Sequence, residues 1–216
     1  MSISVVNSSS TNRGTGATVI AAPSGCAAGD LLIATIGCQT RAPGTDPDGW
    51  TVIDSGNYGS EYFRILYHYF ETGETSYTWA TSGMYQGGAI VALNGAKSSD
   101  PIGNTSKNGA SSGTTATCTG INVSDESMLL ASMGVSWNSN TTFTTISGME
   151  EEYDQNTTYT SVALDYLLYP TGGATGDKVS TISGTNSGWF GCLIEIKTAP
   201  APKVFAGTAA LVSHTR

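Results

Sequence analysis

The chain contains an internal repeat, and this feature limits its fold more than any other. Residues 30–37, Asp-Leu-Leu-Ile-Ala-Thr-Ile-Gly, match residues 127–134, Ser-Met-Leu-Leu-Ala-Ser-Met-Gly, position for position. Further along, residues 50–54 match 143–147, residues 62–70 match 161–169, and residues 78–93 match 180–196. A repeat of about 90 residues exceeds the roughly 20–50 residues of a solenoid repeat. It therefore predicts two similar halves, about 16–95 and 114–197, within one domain that spans residues 1–197.

Short apolar segments between turn residues predict an all-β fold. Runs rich in β-branched and aromatic residues, bounded by Gly, Asn, Asp and Pro, are typical of strands, and no segment has a helical apolar stripe. These runs lie at 17–21, 31–38, 50–54, 62–70, 76–81, 88–93, 114–118, 128–137, 142–146, 159–169, 178–182 and 189–197. At 216 residues the chain fits one large sandwich or barrel, since such domains often run to about 200–250 residues.

Charge and hydropathy exclude several classes of function. The net charge is −8 and the nine basic residues are scattered, whereas nucleic-acid binding requires clustered Lys and Arg. There is no run of about 18 apolar residues to insert into a membrane. Residues 1–7 lack the basic start and apolar stretch of a secretory signal, so we expect synthesis and folding in a cytoplasm.

The residues of catalytic and metal sites are scarce. The two histidines, His68 and His214, are not near a nucleophile elbow, and the four cysteines have no close metal-like spacing. We therefore predict no enzyme activity, no cofactor and no metal. Cys38 and Cys192 end or interrupt apolar strands, where buried thiols are expected, although a bridge between them stays open.

An acidic run, Glu-Glu-Glu-Tyr-Asp at residues 150–154, permits more than one interpretation. The favoured one is a solvated loop or an edge strand whose charge discourages pairing with other sheets. A calcium site is one alternative, because hard cations bind clustered oxygen ligands. A pair of catalytic carboxylates, Glu151 and Asp154, is a weaker alternative because a glycosidase needs only two.

Aromatic residues divide into a core set and a candidate contact set. Trp50, Trp79 and Trp189 fall inside predicted strands and are assigned to the core. Aromatic rings that lie in loops can bind a glycan or a protein partner through a flat apolar face with a polar edge. The candidates at strand ends or in loops are Tyr58, Tyr85, Trp137 and Tyr153.

Residues 198–216 leave the repeat and are predicted to form an extended arm. Pro200 and Pro202 favour extended backbone. The arm carries apolar residues that could add a strand to a neighbouring subunit, and the chief candidates are Val204, Phe205, Leu211 and Val212. The segment Ile3–Val5 could act in the same way.

Several of these segments together carry a family resemblance. Ala-Ala-Gly-Asp-Leu-Leu-Ile-Ala at 27–34, Asp-Gly-Trp-Thr-Val-Ile at 48–53, Tyr-His-Tyr-Phe at 67–70 and Tyr-Thr-Trp at 77–79 resemble jelly-roll-type domains of tailed-phage virion proteins and of some bacterial surface proteins. The resemblance covers residues 16–197 and implies a jelly-roll-like antiparallel β-sandwich that acts by binding.

The function that this resemblance implies is that of a phage virion accessory protein. We expect a capsid decoration or head-surface protein, made in the host cytoplasm and located in the virion. Its expected partners are virion proteins such as the major capsid protein, and we expect it to self-associate as a trimer. The alternatives are a tail receptor-binding or adhesion module and a carbohydrate-binding module of a bacterial surface protein, either of which could bind a host-surface glycan.

Overall fold

The chain is an antiparallel β-sandwich. The computed structural model describes residues 2–80, 84–136, 141–156, 159–184 and 186–200, with only the backbone for 12–14, and none of these residues is helical. Accordingly, these residues contain no helix that could cross a membrane. The strands are β1 (Ser4–Gly14), β2 (Thr18–Ala21), β3 (Leu31–Gln39), β4 (Thr51–Tyr58), β5 (Glu61–Tyr69), β6 (Ser76–Trp79), β7 (Gln86–Asn94), β8 (Ile102–Ala110), β9 (Thr115–Cys118), β10 (Asn122–Val123), β11 (Ser127–Ser136), β12 (Glu150–Gln155), β13 (Thr160–Tyr169), β14 (Gly173–Ala174), β15 (Lys178–Thr181) and β16 (Trp189–Ile196).

Two five-stranded sheets pack face to face, and each is covered on its outer face. Their strand orders are β1-β7-β3-β5-β4 and β12-β13-β11-β16-β8. Side chains alternate along each strand, so Leu31 and Ile33 of β3 enter the core between the sheets while Leu32 and Ala34 face outward. The two-stranded sheet β2-β6 covers that outer face, and β9-β15 covers the corresponding face of the second sheet. The central strands are therefore buried on both sides, which explains their continuous apolar sequences.

The internal repeat in the sequence corresponds to a repeat of topology. In chain order, β1 to β7 of the first half match β8, β9, β11, β12, β13, β15 and β16 of the second, and the matching strands have the same order in the two large sheets. The halves also meet through equivalent residues. The Thr35 and Ser132 hydroxyls, 97 positions apart, form a 2.8 Å hydrogen bond, and Thr160 donates to Glu61, 99 positions away, at 3.3 Å. Equivalent residues can touch only near the axis that relates them, so an approximate two-fold axis runs between the sheets.

The edge strands differ from the prediction. β1 and β8 are rich in Ser, Asn, Thr and Gly, and neither was predicted, yet each pairs with an apolar strand, β1 with β7 and β8 with β16. The segment Ile3–Val5 leads into β1 of the chain's own first sheet. The prediction that this segment acts as a docking arm was therefore wrong. Residues 142–146 are not a strand, apart from an isolated bridge between Phe143 and Ile182. The counterpart of β4 is instead β12, which contains the acidic run and lies at a sheet edge.

The core confirms the assignment of the tryptophans and contains no disulfide. Trp79 and Trp189 are buried and Trp50 is partly buried. Phe63 and Phe190 stack between the two large sheets with their ring centres 4.2 Å apart. No two of the four cysteines form a disulfide, so the bridge between Cys38 and Cys192 that the sequence left open does not form.

Candidate functional site

Both ends of the described chain meet at one end of the sandwich, which we call the chain-end face (Ser2, Gly95, Glu126, Thr198 and Ala199). The Ala199 amide donates to the Gly95 carbonyl at 2.9 Å, and the Thr198 hydroxyl donates to the Glu126 carbonyl. Gly95 has a φ of +83°, and a Cβ added there would lie 2.6 Å from the Ser2 carbonyl oxygen. A side chain at residue 95 would therefore separate the two chain ends.

Charged side chains brace the two segments that cross this face. Lys197 Nζ lies 2.6 Å from Asp100 Oδ2, and Lys97 Nζ lies 3.8 Å from the same oxygen. The hydrogen bond and the positive charge of Lys197 lower the pKa of Asp100. The Lys97 amide also donates to the Lys197 carbonyl at 2.8 Å. The segment that follows β7 and the segment that follows β16 are thus joined where they pass each other.

A groove that is apolar in large part runs from the chain-end face along the β1 edge of the sandwich, and we call it the Leu168 groove. It comprises two adjoining cavities of about 300 and 420 Å³ that share Ser2 and Leu168. Leu168 is 46% exposed. At the polar margin, Tyr166 donates to Glu150 at 2.6 Å, and this hydrogen bond together with burial raises the pKa of Tyr166 to about 12. The other lining residues are Ile3, Ser4, Val5, Glu126, Ser127, Met128, Leu167, Tyr169 and Pro170.

The opposite end of the sandwich, the loop face, carries the turns between β4 and β5, β6 and β7, and β12 and β13. Tyr85 and Tyr159, from two of these turns, stack with ring centres 4.1 Å apart and an interplanar angle of 13°. The Ser60 amide donates to the Ser187 carbonyl at 2.8 Å, which joins the first half to the second. Two aromatic rings and several loops are thus held together on one face.

A buried carboxyl group lies directly beneath the loop face. Glu61, the first residue of β5, has 0% exposure and points between the two large sheets toward Thr160. Its Oε2 atom has no hydrogen-bond partner among the described residues, and the same holds for the nearby Gln39 Nε2. Burial raises the pKa of Glu61 well above its ordinary value of 4.5, and the Thr160 and Ser136 hydroxyls offset only part of this rise. The group is therefore neutral over a wider pH range than an exposed glutamate.

The three candidate contact residues that lie in the described part of the chain do not form one site. Tyr58 and Tyr85 both lie at the loop face, and the Tyr58 ring is parallel to that of Phe63 with 6.3 Å between their centres. Tyr153 packs against the core between the sheets, and its hydroxyl is buried without a hydrogen-bond partner among the described residues. Trp137 lies outside the described residues, as do Val204, Phe205, Leu211 and Val212. Their predicted roles stay predictions.

The carboxylates of the acidic run hold a loop in place. Asp154 accepts from the Phe143 amide at 2.9 Å, and Glu151 accepts from the Thr145 hydroxyl at 3.1 Å. Asp165 of β13, beside them, accepts from the Ile146 amide at 2.6 Å, and burial raises its pKa to about 6. No group of three or more metal-ligating side chains that could hold a metal ion occurs in the described part of the chain. These contacts fix residues 141–149 against the second sheet.

His68, in the first half, also holds a loop in place through its hydrogen bonds. Its Nδ1 atom lies 3.1 Å from the Gly49 carbonyl oxygen, and its Nε2 atom lies 2.9 Å from Glu74. The imidazole ring stacks on Trp50 with ring centres 5.4 Å apart. Tyr77 also donates to Glu74 at 3.0 Å. Desolvation raises the pKa of Glu74, but the hydrogen bonds from the Glu71 amide, His68 and Tyr77 outweigh it and the pKa is lowered.

Comparison of the chain with protein-family models, with curated protein sequences and with solved protein structures gave no match.

Proposed function

We propose that this protein is a non-enzymatic accessory protein of a tailed-phage virion, a capsid decoration or head-surface protein. In this proposal the chain-end face attaches to the particle, with the major capsid protein as its partner, and the loop face points to solvent. Self-association as a trimer would strengthen attachment, because several weak contacts on a symmetric lattice act together.

The observation that carries the proposal is the position of the two chain ends. Residue 2 and residues 198–199 meet at Gly95, so the segment from residue 200 onward leaves from the same face as residue 2. The loop face, with the turns between β4 and β5, β6 and β7, and β12 and β13, lies at the opposite end of the strands. A domain with this polarity can be attached at one end while the other end remains free for contacts. The four segments that carry the phage resemblance lie in or next to the strands β3, β4, β5 and β6. They therefore belong to the scaffold and not to the loop face.

Detection in particles tests this proposal. Antibodies raised against the purified chain are applied to density-purified phage particles from the source culture, followed by gold labelling, electron microscopy and mass spectrometry of the particle proteins. Labelled heads are the expected result. Labelled tails would support the receptor-binding alternative instead, and absence of the protein from the particles would overturn a virion role.

The solution mass tests self-association. Light scattering is measured for the full chain and for a chain that ends at Lys197. We expect a trimer that weakens when residues 198–216 are removed. A monomer in both cases would contradict the idea that the arm joins subunits.

Glycan binding is a second candidate, and the stacked pair at the loop face favours it. Tyr85 and Tyr159 place two aromatic rings together beside loops, and aromatic rings are a common surface for binding sugar faces. We expect Tyr85→Ala to abolish any signal on a glycan array. Thr51→Ala, at the opposite end of the sandwich, is the control. Binding that survives Tyr85→Ala would place the glycan site elsewhere, and an array without signal would contradict this function.

A further inference from the structure

We propose that His68 is a pH-dependent switch that fastens residues 47–50, the segment before β4, to the first sheet. In this proposal the ring with two protons holds Gly49 and Glu74 at the same time, and the ring with one proton releases Gly49. The inference rests on the contacts of the imidazole and is independent of the proposed virion function.

Both nitrogens of the His68 ring meet an acceptor. Nδ1 lies 3.1 Å from the carbonyl oxygen of Gly49, and Nε2 lies 2.9 Å from Oε1 of Glu74. A carbonyl oxygen has no proton to donate, and a neutral imidazole has only one N–H. Both hydrogen bonds therefore exist together only when the ring carries two protons and a positive charge, unless the carboxyl group supplies a proton.

Glu74 is ionised and cannot supply that proton. Its Oε2 atom accepts from the Glu71 amide at 2.7 Å and from the Tyr77 hydroxyl at 3.0 Å. Desolvation raises the pKa of Glu74, but these two hydrogen bonds and the contact with His68 outweigh it, so the pKa lies below its ordinary value of 4.5. For both contacts of the ring to persist near neutral pH, the second proton must therefore be on the imidazole.

The other titratable groups around the ring are neutral or exposed. The Tyr77 ring lies edge-on to the imidazole with 5.7 Å between ring centres, and burial together with the hydrogen bond to Glu74 raises its pKa. Burial also raises the pKa of Cys26, which packs against the apolar cluster that contains Tyr77. Glu71 and Asp48 are exposed. The charge that faces the imidazole directly is thus the Glu74 carboxylate.

When the ring loses one proton, the contact with Gly49 is the one that is lost. A hydrogen bond to a carboxylate is stronger than one to a neutral carbonyl, so the remaining proton stays on Nε2 beside Glu74. Nδ1 then presents a lone pair to the Gly49 oxygen, and two acceptors at 3.1 Å repel each other. The stacking of the ring on Trp50, with 5.4 Å between ring centres, is also weakened because the ring no longer carries the charge of a cation–π contact.

Release of Gly49 is confined to residues 47–50, because the preceding residues have an anchor of their own. The Arg64 guanidinium donates to the Gly44 carbonyl at 3.1 Å and to Asp46 Oδ1 at 2.7 Å. These contacts do not involve the imidazole, so they persist when it loses a proton.

The switch forms one wall of a surface cavity of about 310 Å³. A Cβ added at Gly49 would lie 3.2 Å from His68 Cε1, so backbone and ring are in close contact at this wall. Movement of residues 47–50 away from the ring would therefore enlarge the cavity as the pH rises. The lining residues are Gly49, Thr51, Tyr67, His68, Tyr69 and Glu71.

Nitrogen NMR of the ring tests the proposal. The variant His214→Gln leaves His68 as the single histidine of the chain, and its isotope-labelled ring is followed from about pH 5 to about pH 9, a range that includes the charge change of histidine. We expect both nitrogens to be protonated at the low end. At the high end Nδ1 should shift to the resonance position of an unprotonated nitrogen while Nε2 keeps its proton. A neutral ring with its proton on Nδ1, or a ring whose protonation does not change across the range, would overturn the proposal.

Backbone amide resonances show whether residues 47–50 respond. In the single-histidine protein, the Gly49 and Trp50 amides should shift with the same midpoint as Nδ1, while the Gly44 amide should not. His68→Gln in the same background is the matched control, because glutamine can donate to the same carboxylate but does not titrate, and it should remove the shift. Circular dichroism checks that this variant is folded, and the ring measurement does not depend on it. Gly49 and Trp50 amides that do not shift, or that shift equally in the control, would contradict the switch.

Discussion

Glu61 makes the stability of this protein depend on pH in a way that one substitution should remove. The side chain is fully buried between the two large sheets, and its pKa is raised well above 4.5 because burial disfavours the charged form. Glu61→Gln preserves the shape of the side chain and an oxygen that can accept from Thr160. It removes the group that titrates.

The sign of the effect follows from proton linkage. Below pH 4.5 Glu61 is protonated in both the folded and the unfolded chain, so its full contribution to stability is present. Above pH 4.5 the unfolded chain releases this proton while the folded chain retains it. The free energy of unfolding therefore falls by about 1.4 kcal/mol per pH unit until the folded pKa is reached, and it is level beyond that point.

Urea unfolding measured at intervals from pH 4 to pH 8 tests this reasoning. Wild type and Glu61→Gln should have similar stability near pH 4, and the variant should become the more stable protein as the pH rises. The difference between the two should grow by about 1.4 kcal/mol per pH unit above pH 5. Glu71→Gln, at an exposed position, controls for the removal of one charge from a chain of net charge −8. A difference between wild type and Glu61→Gln that does not change with pH would refute the argument.

Three further predictions test other parts of the structure. At the contact between the halves, Thr35→Val or Ser132→Ala alone should lower the free energy of unfolding by about 1–3 kcal/mol, because a buried hydroxyl loses its partner. The double variant should lower it by less than the sum of the two single effects. A double-mutant cycle of urea unfolding measures this difference. Asp165→Asn should flatten the loss of stability between pH 3.8 and about 6, because the raised pKa of Asp165 makes the folded chain retain a proton there; an unchanged pH profile would contradict this. Phe190→Ala should lower the free energy of unfolding by about 3–5 kcal/mol because it removes the ring that stacks on Phe63, and a loss below about 1 kcal/mol would show that the stack is not part of a tightly packed core.

The candidate site could be predicted only in part. Tyr58 and Tyr85 were correctly placed near strand ends, because turns are marked locally by Gly, Asn and Ser. That Tyr85 stacks on Tyr159, 74 positions away, could not be predicted, since it depends on how two distant loops meet. Tyr153 was predicted to lie at a strand end or in a loop, but it lies within β12 and its ring packs against the core between the sheets. The burial of Glu61 could not be predicted, because no local sequence pattern distinguishes a buried glutamate from an exposed one at the start of a strand.

The central strands and the two-fold repeat were readable from sequence because both depend on local patterns. A strand buried on both faces is apolar at most of its positions, so β3 and β11 can be recognised in the sequence and resemble each other. The edge strands β1 and β8 were not recognisable. Their Ser, Asn and Gly residues are typical of loops, and they become strands only because β7 and β16 offer them backbone hydrogen bonds. The tertiary structure likewise decided that the two halves face each other and that the chain ends meet at Gly95, since these contacts join residues that are far apart in sequence and leave no local pattern.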